Sequence, residues 1–165
     1  ETSREMFSML IDMLALNRFE HYEISNFARN GKYSAHNTSY WKNERYLGLG
    51  PSAHSYDGES RSWNVASLEK YITAIGAGEL PQERERLTHS QQYNEFVLTG
   101  LRTMWGVDLL LLKEQFGQEM YDYCLQNARK FIRENLLTIK ENSLILSREG
   151  IFISDGIMSE LMWVE

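Results

Sequence analysis

Residues 46–55 read Tyr-Leu-Gly-Leu-Gly-Pro-Ser-Ala-His-Ser, a short apolar run that leads into a glycine-rich turn. Glycine allows tight turns and lets a ligand approach the backbone closely. In α/β folds such turns follow the C-terminal ends of strands, where these folds place their ligands. The stretch therefore predicts a strand over 46–49, an α/β (α+β) fold and a candidate ligand-binding turn at Gly48 and Gly50.

Upstream of this turn, the sequence predicts a helix and then an ordered loop. Thr2 and Glu5 have the spacing of a capping box, and apolar residues recur at helical spacing, which predicts a helix over 3–16. Residues 32–44 are rich in Ser, Asn, Tyr and Trp without a clear period. We expect that stretch to form an ordered loop.

Between them, residues 18–27 alternate weakly in polarity and predict one strand. Ile24 lies on one face of this strand, and Glu23 and Ser25 lie on the other. We expect Glu23 and Ser25 to point into the cavity of a barrel. The alternative is that both are exposed or only support other residues of the site.

Downstream of the turn, residues 57–64 are polar and predict a loop, and Ser67 begins a helix. Residues 81–87 alternate Glu and Arg with little apolar content, which is typical of a domain boundary. The sequence therefore predicts two domains, 1–82 and 83–165.

The C-terminal half has the order of a winged-helix-like module, which is three helices followed by a hairpin. Thr88 and Gln91 form a second capping box, and Asp108 caps the next helix. Short apolar runs flank Glu141 and Asn142 as in a β-hairpin. This half is acidic, so we do not expect it to read DNA.

Composition narrows the function classes. The 17 Lys and Arg against 23 Asp and Glu give a net charge of −6, which argues against nucleic acid as a partner. Peripheral membrane contact and a homodimer both stay open. A single cysteine, Cys124, cannot hold an iron–sulfur cluster and suits a cytoplasmic location. Because the chain starts at Glu1 with a helix at once, we expect it to be a piece of a longer protein.

Three segments, in order, are similar to one known family. They are residues 22–28 (Tyr-Glu-Ile-Ser-Asn-Phe-Ala), residues 36–41 (His-Asn-Thr-Ser-Tyr-Trp) and the turn at 46–55, and shorter motifs such as Gly100-Leu101-Arg102 continue the series. Together they resemble the C-terminal part of the radical S-adenosylmethionine proteins that comprise oxygen-independent coproporphyrinogen oxidases and haem chaperones. The resemblance covers nearly the whole chain.

The resemblance implies the end of a partial (β/α) barrel that uses S-adenosylmethionine and a [4Fe-4S] cluster, followed by the mainly helical domain. In the family, a Cys-x-x-x-Cys-x-x-Cys motif holds the cluster, and this chain has no such motif. The cofactors therefore belong to a parent protein. Whether that parent is an enzyme stays open, and we expect this piece to be inactive alone.

Within the family, His-Asn-x-x-Tyr-Trp marks the haem-chaperone branch, so His36, Asn37, Tyr40 and Trp41 are the candidate haem-binding residues and His36 the candidate iron ligand. A neutral imidazole is a good axial ligand, and aromatic rings pack against a macrocycle. The alternative is structural, with His36 and Asn37 capping or pinning a loop and Tyr40 and Trp41 filling the gap between the barrel and the C-terminal domain. His54 competes with His36 for any ligand role.

The resemblance also suggests that Gly48, Gly50 and Ser25 contact S-adenosylmethionine. Backbone amides of a glycine-rich turn suit that role. A tight turn that only packs a strand against a helix is an equally good explanation.

The leading hypothesis is that the parent binds haem and delivers it to acceptor haemoproteins. The alternative is an oxygen-independent coproporphyrinogen III oxidase, which decarboxylates two propionates by radical chemistry to give protoporphyrinogen IX. A third hypothesis is that the C-terminal domain only docks a partner or substrate.

Overall fold

The computed structural model describes residues 2–164 as a mixed α/β structure of two compact units. The first unit comprises the described residues up to Lys42 and those from Tyr93 onward, and the second comprises residues 43–92. The elements, in chain order, are α1 (Thr2–Leu16), β1 (Phe19–Glu23), β2 (Asn26–Arg29), α2 (Ala35–Trp41), β3 (His54–Tyr56), β4 (Ser60–Asn64), α3 (Leu68–Gly76), β5 (Gln82–Arg86), α4 (His89–Leu101), β6 (Val107–Asp108), α5 (Leu109–Arg133), β7 (Leu137–Lys140), β8 (Ser143–Leu146), α6 (Arg148–Ile151) and α7 (Ser154–Leu161).

The second unit contains an antiparallel sheet in the order β3-β4-β5, with α3 between β4 and β5. Ser67 caps α3 by accepting the backbone N–H of Lys70, as expected from the sequence. The predicted strand over 46–49 is wrong, because only Tyr46 pairs, in an isolated bridge to Tyr56.

Two segments expected to be irregular are strands of this sheet. Residues 60–64 form β4, and β5 occupies the stretch predicted as a domain boundary. All of β5 is exposed, and cross-strand ion pairs from Arg84 and Arg86 to the 57–59 turn support it instead of apolar burial. The predicted division at 82/83 therefore lies at the start of a paired strand, whereas the compact units divide after residues 42 and 92.

The first unit has its core among α4, α5, α7 and a second sheet, in the order β6-β8-β7. The predicted hairpin is confirmed, with Glu141 and Asn142 at positive φ in its turn. The α5 path breaks at Gly117, where φ is 83°. The apolar side chains that are fully or nearly fully buried in the core of the first unit include Tyr93, Val97, Leu101, Leu112, Cys124, Leu144, Ile157 and Leu161.

Both predicted capping interactions at the starts of α4 and α5 are confirmed. The backbone N–H of Thr88 donates to the Gln91 side chain at 2.7 Å, and the N–H of Gln91 donates to the Thr88 hydroxyl at 3.2 Å. The Asp108 carboxylate accepts the N–H groups of Leu110 and Leu111. Such caps satisfy helix N–H groups that have no partner within the helix.

The stretch predicted as one strand over 18–27 is a hairpin instead. Strands β1 and β2 pair with each other, and the chain turns between Glu23 and Asn26. The hairpin is attached to the end of α4, since the Ile24 N–H donates to the Arg102 carbonyl and the Met104 N–H donates to the Tyr22 carbonyl, each at 3.0 Å.

Between residues 2 and 164 there is no helix with both the length and the apolar character needed to cross a bilayer.

Candidate functional site

The hexapeptide His36–Trp41 lies in helix α2, where the sequence predicted a loop. Ser34 begins this helix, because its hydroxyl accepts the backbone N–H of Asn37 at 3.3 Å. Serine is a preferred N-cap, and one such bond fixes the first turn. The cap is thus Ser34, and neither His36 nor Asn37 has the capping role of the structural alternative.

His36 and Tyr40 share one exposed side of α2. Their ring centroids are 5.0 Å apart with an interplanar angle of 83°, an edge-to-face contact typical of residues four apart in a helix. Within residues 2–164, neither ring nitrogen of His36 forms a hydrogen bond. The imidazole is therefore accessible and has lone-pair capacity that no protein donor uses.

Trp41 faces the protein instead of the solvent. The Arg102 guanidinium carbon lies 4.9 Å from the centroid of its ring, in cation–π geometry. The indole Nε1 is buried and has no hydrogen-bond partner among the described residues. This placement agrees with the structural alternative for Trp41, which fills space against the C-terminal half of the chain.

Arg102 connects Trp41 to a buried carboxylate. Its Nε and Nη2 donate to Oε1 of Glu23 at 3.1 Å and 2.7 Å. The other oxygen, Oε2, accepts the backbone N–H and the hydroxyl of Ser25, each at 3.0 Å, and Nδ2 of Asn26 at 2.5 Å. Glu23 is 2% exposed, so its charge is compensated almost entirely by protein donors.

These contacts determine the ionisation of Glu23. Burial on its own would raise the pKa of this carboxyl, but hydrogen bonds from the Ser25 amide, Asn26, Arg102 and the Ser25 hydroxyl outweigh it. The net result is a pKa below the usual glutamate value. Glu23 is therefore a charged anchor of the β1–β2 turn, and the expectation that Glu23 and Ser25 point into the cavity of a barrel stays a prediction.

An aromatic cluster supports the segment that precedes α2. The rings of Tyr22 and Tyr33 lie 5.0 Å apart, and Tyr33 meets Trp105 edge-on at 5.4 Å. The buried Tyr22 also accepts the N–H of Ser34 through its hydroxyl at 3.4 Å. The N-cap of α2 is thus held against the β1–β2 hairpin.

Gly48 and Gly50 lie in the other compact unit, where their amides already have partners. The N–H of Gly48 donates to Ser55 Oγ at 3.0 Å, and that of Gly50 donates to the Tyr71 hydroxyl at 3.1 Å. Asn64 Nδ2 donates to the carbonyls of both glycines. These bonds hold the turn itself together, as in the tight-turn explanation, and leave the predicted contact with S-adenosylmethionine without geometric support here.

The structure thus brings Trp41, Glu23 and Ser25 into one network, and it places His36, Asn37 and Tyr40 on the helix that ends in Trp41. No sequence pattern predicts a role for Arg102 or Asn26, although both lie in segments that carry the family resemblance. The presence of residues 22–28 and 100–102 in the same family resemblance was the one sequence signal that could have drawn attention to Asn26 and Arg102. Their contact could not be inferred from spacing along the chain.

The described residues offer no ready-made metal centre. Among residues 2–164, no group of three or more His, Cys, Asp or Glu side chains is arranged to hold an ion. Cys124 is fully buried in the core of the first unit. A [4Fe-4S] cluster, which needs several thiolates, does not fit this set of donors.

Comparisons with known proteins show which proteins this chain resembles. The family model "HemN C-terminal domain" matches residues 87–153. The Bacillus subtilis (strain 168) protein named Heme chaperone HemW is 28% identical over 163 residues, which cover 98% of this chain and 43% of that protein. The mitochondrial radical S-adenosyl methionine domain-containing protein 1 of Bos taurus is 31% identical over 177 residues, covering 98% of this chain and 39% of the relative.

The fold has a counterpart of known structure. The solved structure described as "Coproporphyrinogen III oxidase (HemN) from Escherichia coli is a Radical SAM enzyme" superposes with a TM-score of 0.70 at 17% identity, over 94% of this chain and 40% of that one. At this identity the likeness concerns the fold. The chain spans about two fifths of the length of these relatives. It is therefore homologous to part of the HemW-type and related radical S-adenosylmethionine proteins, and its residues 87–153 match the C-terminal domain of HemN.

Proposed function

We propose that this chain is the C-terminal part of a haem-binding radical S-adenosylmethionine protein that delivers haem to acceptor haemoproteins. The observation that carries the proposal is sequence similarity over 98% of the chain to a protein named as a haem chaperone, together with the exposed His36 imidazole in α2. A second such protein, from Lactococcus lactis subsp. lactis (strain IL1403), is 26% identical over the same share of the chain. The delivery step belongs to the parent protein.

The architecture we propose for the parent follows the resemblance. Residues 1–82 would complete a partial (β/α) barrel, and residues 83–165 would form a winged-helix-like domain. The fold likeness to HemN supports this arrangement at the level of mixed α/β architecture. The cytoplasm is the proposed location, although one class of relatives is named as mitochondrial.

His36 fits an axial haem ligand. Its ring is exposed, no group within the described part of the chain hydrogen-bonds to its nitrogens, and the Tyr40 ring contacts it edge-on. A bound haem would supply an iron with an open axial position, which a neutral imidazole nitrogen ligates well. Because the ring lies at the surface, the ligand would stay within reach of an acceptor protein, which suits transfer.

The other haem-binding candidates differ in how well they fit. Tyr40 and Asn37 lie on the accessible part of α2 and suit contact with the edge or face of a macrocycle. The Trp41 ring has Arg102 against it and its indole N–H is buried, so we propose that Trp41 anchors α2. Contact between haem and Trp41 stays a prediction from the resemblance.

The parent's S-adenosylmethionine and [4Fe-4S] cluster would be held mainly outside this chain, because the single buried Cys124 does not fit a cluster. Roles for Gly48, Gly50 and Ser25 in binding S-adenosylmethionine stay predictions. The N–H groups of the two glycines and the hydroxyl of Ser25 already donate to other groups of the chain. Peripheral membrane contact and a homodimer also stay predictions.

Haem titration followed by the Soret absorbance tests the proposal. The parent protein should give a saturating Soret shift, and His36→Ala should weaken binding or change the Soret position. His54→Ala tests the competing ligand, and His89→Ala is the control, an exposed histidine at the start of α4. An unchanged spectrum and affinity in His36→Ala would remove His36 from the ligand role, and no haem binding by the wild-type parent would refute the function.

The alternative, coproporphyrinogen III oxidation, has only the fold likeness in its favour. Production of protoporphyrinogen IX by the anaerobically reconstituted parent would establish it. A parent that binds haem, transfers it to an apo-haemoprotein and forms no protoporphyrinogen IX would be a chaperone.

A further inference from the structure

One end of the β3-β4-β5 sheet carries a row of three chemically distinct side chains. In the antiparallel register, His54 lies opposite Trp63, and Trp63 lies opposite Glu83. Residues directly opposite each other project to the same face of a sheet. The rings of His54 and Trp63 have centroids 6.2 Å apart and planes tilted by 35°. This face therefore presents an imidazole, an indole and a carboxylate side by side.

A cleft of about 510 Å³ lies over this row, within the second compact unit. Ser52 and two residues after β4, Ser67 and Lys70, also line it. Small-molecule sites in proteins have volumes of roughly 300–1,000 Å³ and combine aromatic walls with a few polar groups. The cleft meets both conditions with residues that have no part in the His36 site.

The cleft carries two opposite charges that are not used by the protein. Lys70 and Glu83 both line it, and neither forms an ion pair among the residues that the structure describes. By contrast, Arg84 and Arg86 of the same strand as Glu83 are paired with carboxylates. An ammonium and a carboxylate that line the same cleft without a protein counter-ion complement a ligand that bears both charges.

We propose that this cleft binds a small zwitterion with a planar aromatic ring. The ring packs on Trp63 and His54, the anionic group of the ligand pairs with Lys70, and its cationic group pairs with Glu83. An aromatic α-amino acid has this chemistry in its simplest form. Aromatic rings pack best in offset-stacked or edge-to-face arrangements, so the indole of Trp63 favours a ligand with a flat ring.

Three probes separate the contributions. L-Tryptophan carries both charges, indole-3-propionate lacks the ammonium, and tryptamine lacks the carboxylate. Each is titrated into the full 165-residue chain labelled with 5-fluorotryptophan, and the ¹⁹F resonance of Trp63, assigned through Trp63→Phe, reports binding. L-Tryptophan should shift this resonance in a saturable way and bind tightest of the three. An unresponsive Trp63 resonance would overturn the proposal.

Two variants assign the charges. Lys70→Met should weaken L-tryptophan and indole-3-propionate by about threefold and leave tryptamine unchanged, since exposed ion pairs contribute modestly. Glu83→Gln should weaken L-tryptophan and tryptamine by about the same factor and leave indole-3-propionate unchanged. Lys32→Met and Glu79→Gln, at exposed positions outside the cleft, are the matched controls.

Equal weakening of all three probes in either variant would contradict the charge assignment, as would equal effects in the controls. Both substituted side chains are exposed, so the variants should keep the unfolding midpoint of the wild type, which urea denaturation checks. The readout is independent of the haem proposal, because that is followed by the Soret band and by His36.

Discussion

Arg102 donates from Nε and Nη2 to a single oxygen of Glu23 across 79 positions of the chain. The Glu23 side chain is fully buried, whereas the Arg102 side chain keeps 27% of its surface exposed. The ion pair therefore joins the turn of the β1–β2 hairpin to the end of α4, and Trp41 of α2 packs on its cationic half. Three parts of the first unit depend on one carboxylate.

Removing that carboxylate's charge should destabilise the protein. Glu23→Gln keeps the shape of the side chain but removes its charge and replaces one carboxylate oxygen with an –NH2 donor. Arg102 then loses its counter-ion, and the donors that face the replaced oxygen lose their acceptor. We expect a loss of about 3 kcal/mol in the free energy of unfolding, as for other broken buried pairs. Urea denaturation measures it, with Glu119→Gln on the exposed side of α5 as the control. A loss equal to that of the control would show that the pair contributes nothing.

The same carboxylate should make stability depend on acid pH. The pKa of Glu23 is lower in the folded protein than the ordinary value of 4.5, so the unfolded chain binds this proton first as the pH falls. Its contribution is complete above that value and is lost as the pH falls through the lower folded pKa. Wild-type stability should therefore fall more steeply below pH 4.5 than that of Glu23→Gln. Parallel curves from pH titrations of the urea midpoint would contradict this.

Trp41→Phe should cost little stability despite the loss of ring area. The indole Nε1 is buried and has no hydrogen-bond partner between residues 2 and 164, and such a donor costs about 1–3 kcal/mol. Phenylalanine removes that donor and keeps a ring for Arg102, so we expect a net change within about 1 kcal/mol. Trp41→Ala, which loses the whole ring, should cost about 3 kcal/mol. Thermal or urea unfolding of the two variants measures both losses, and a loss in Trp41→Phe well above about 1 kcal/mol would show that the indole N–H has a partner.

Two glycines in the second unit should respond to alanine in opposite directions. A Cβ at Gly48 would lie 2.1 Å from the His54 carbonyl oxygen, so Gly48→Ala forces the backbone of the turn to move and should cost about 2 kcal/mol or more. Gly76, the last residue of α3, has nothing within 4 Å of such a Cβ, and Gly76→Ala should stabilise by up to about 1 kcal/mol. Matched urea curves test the pair, and the prediction is wrong if Gly48→Ala is neutral.

The single thiol should be inert while the protein is folded. Burial in the core raises the pKa of Cys124 to about 11, so very little thiolate forms at pH 8. Reaction with Ellman's reagent should be slow in buffer and fast in urea, with a rate that follows the fraction unfolded. Fast labelling under native conditions would mean that the core opens locally around α5.

How far the sequence predicts this fold depends on where the stabilising partner lies. Helices α1 and α3, the caps at Thr88 and Asp108 and the β7–β8 hairpin rest on local signals, and all of these predictions are confirmed. Strand β5 was missed, because its alternating Glu and Arg residues have no apolar face and it forms through pairing with β4. Helix α2 was missed because its seven residues show no period, although Ser34 was a visible cap.

In the candidate site too, features that depend on local spacing could be predicted, whereas those that depend on remote residues could not. A spacing of four puts His36 and Tyr40 on one face only if the segment is helical; the structure has that helix, and their rings are in contact. The role of Trp41 could not be predicted, since it depends on Arg102, which is remote in sequence. The ligand roles of His36, Gly48 and Gly50 stay predictions, because they concern molecules that only a binding experiment can test.

The Glu23–Arg102 pair also bears on how such proteins can be recombined. The matched C-terminal domain begins at residue 87, so a graft made at that boundary would carry Arg102 and leave Glu23 behind. A chimaera between two relatives would inherit an unmatched guanidinium unless the recipient supplies a carboxylate at the hairpin turn. A domain exchange is therefore expected to succeed only when both residues of the pair are present, and the two positions are expected to covary among relatives.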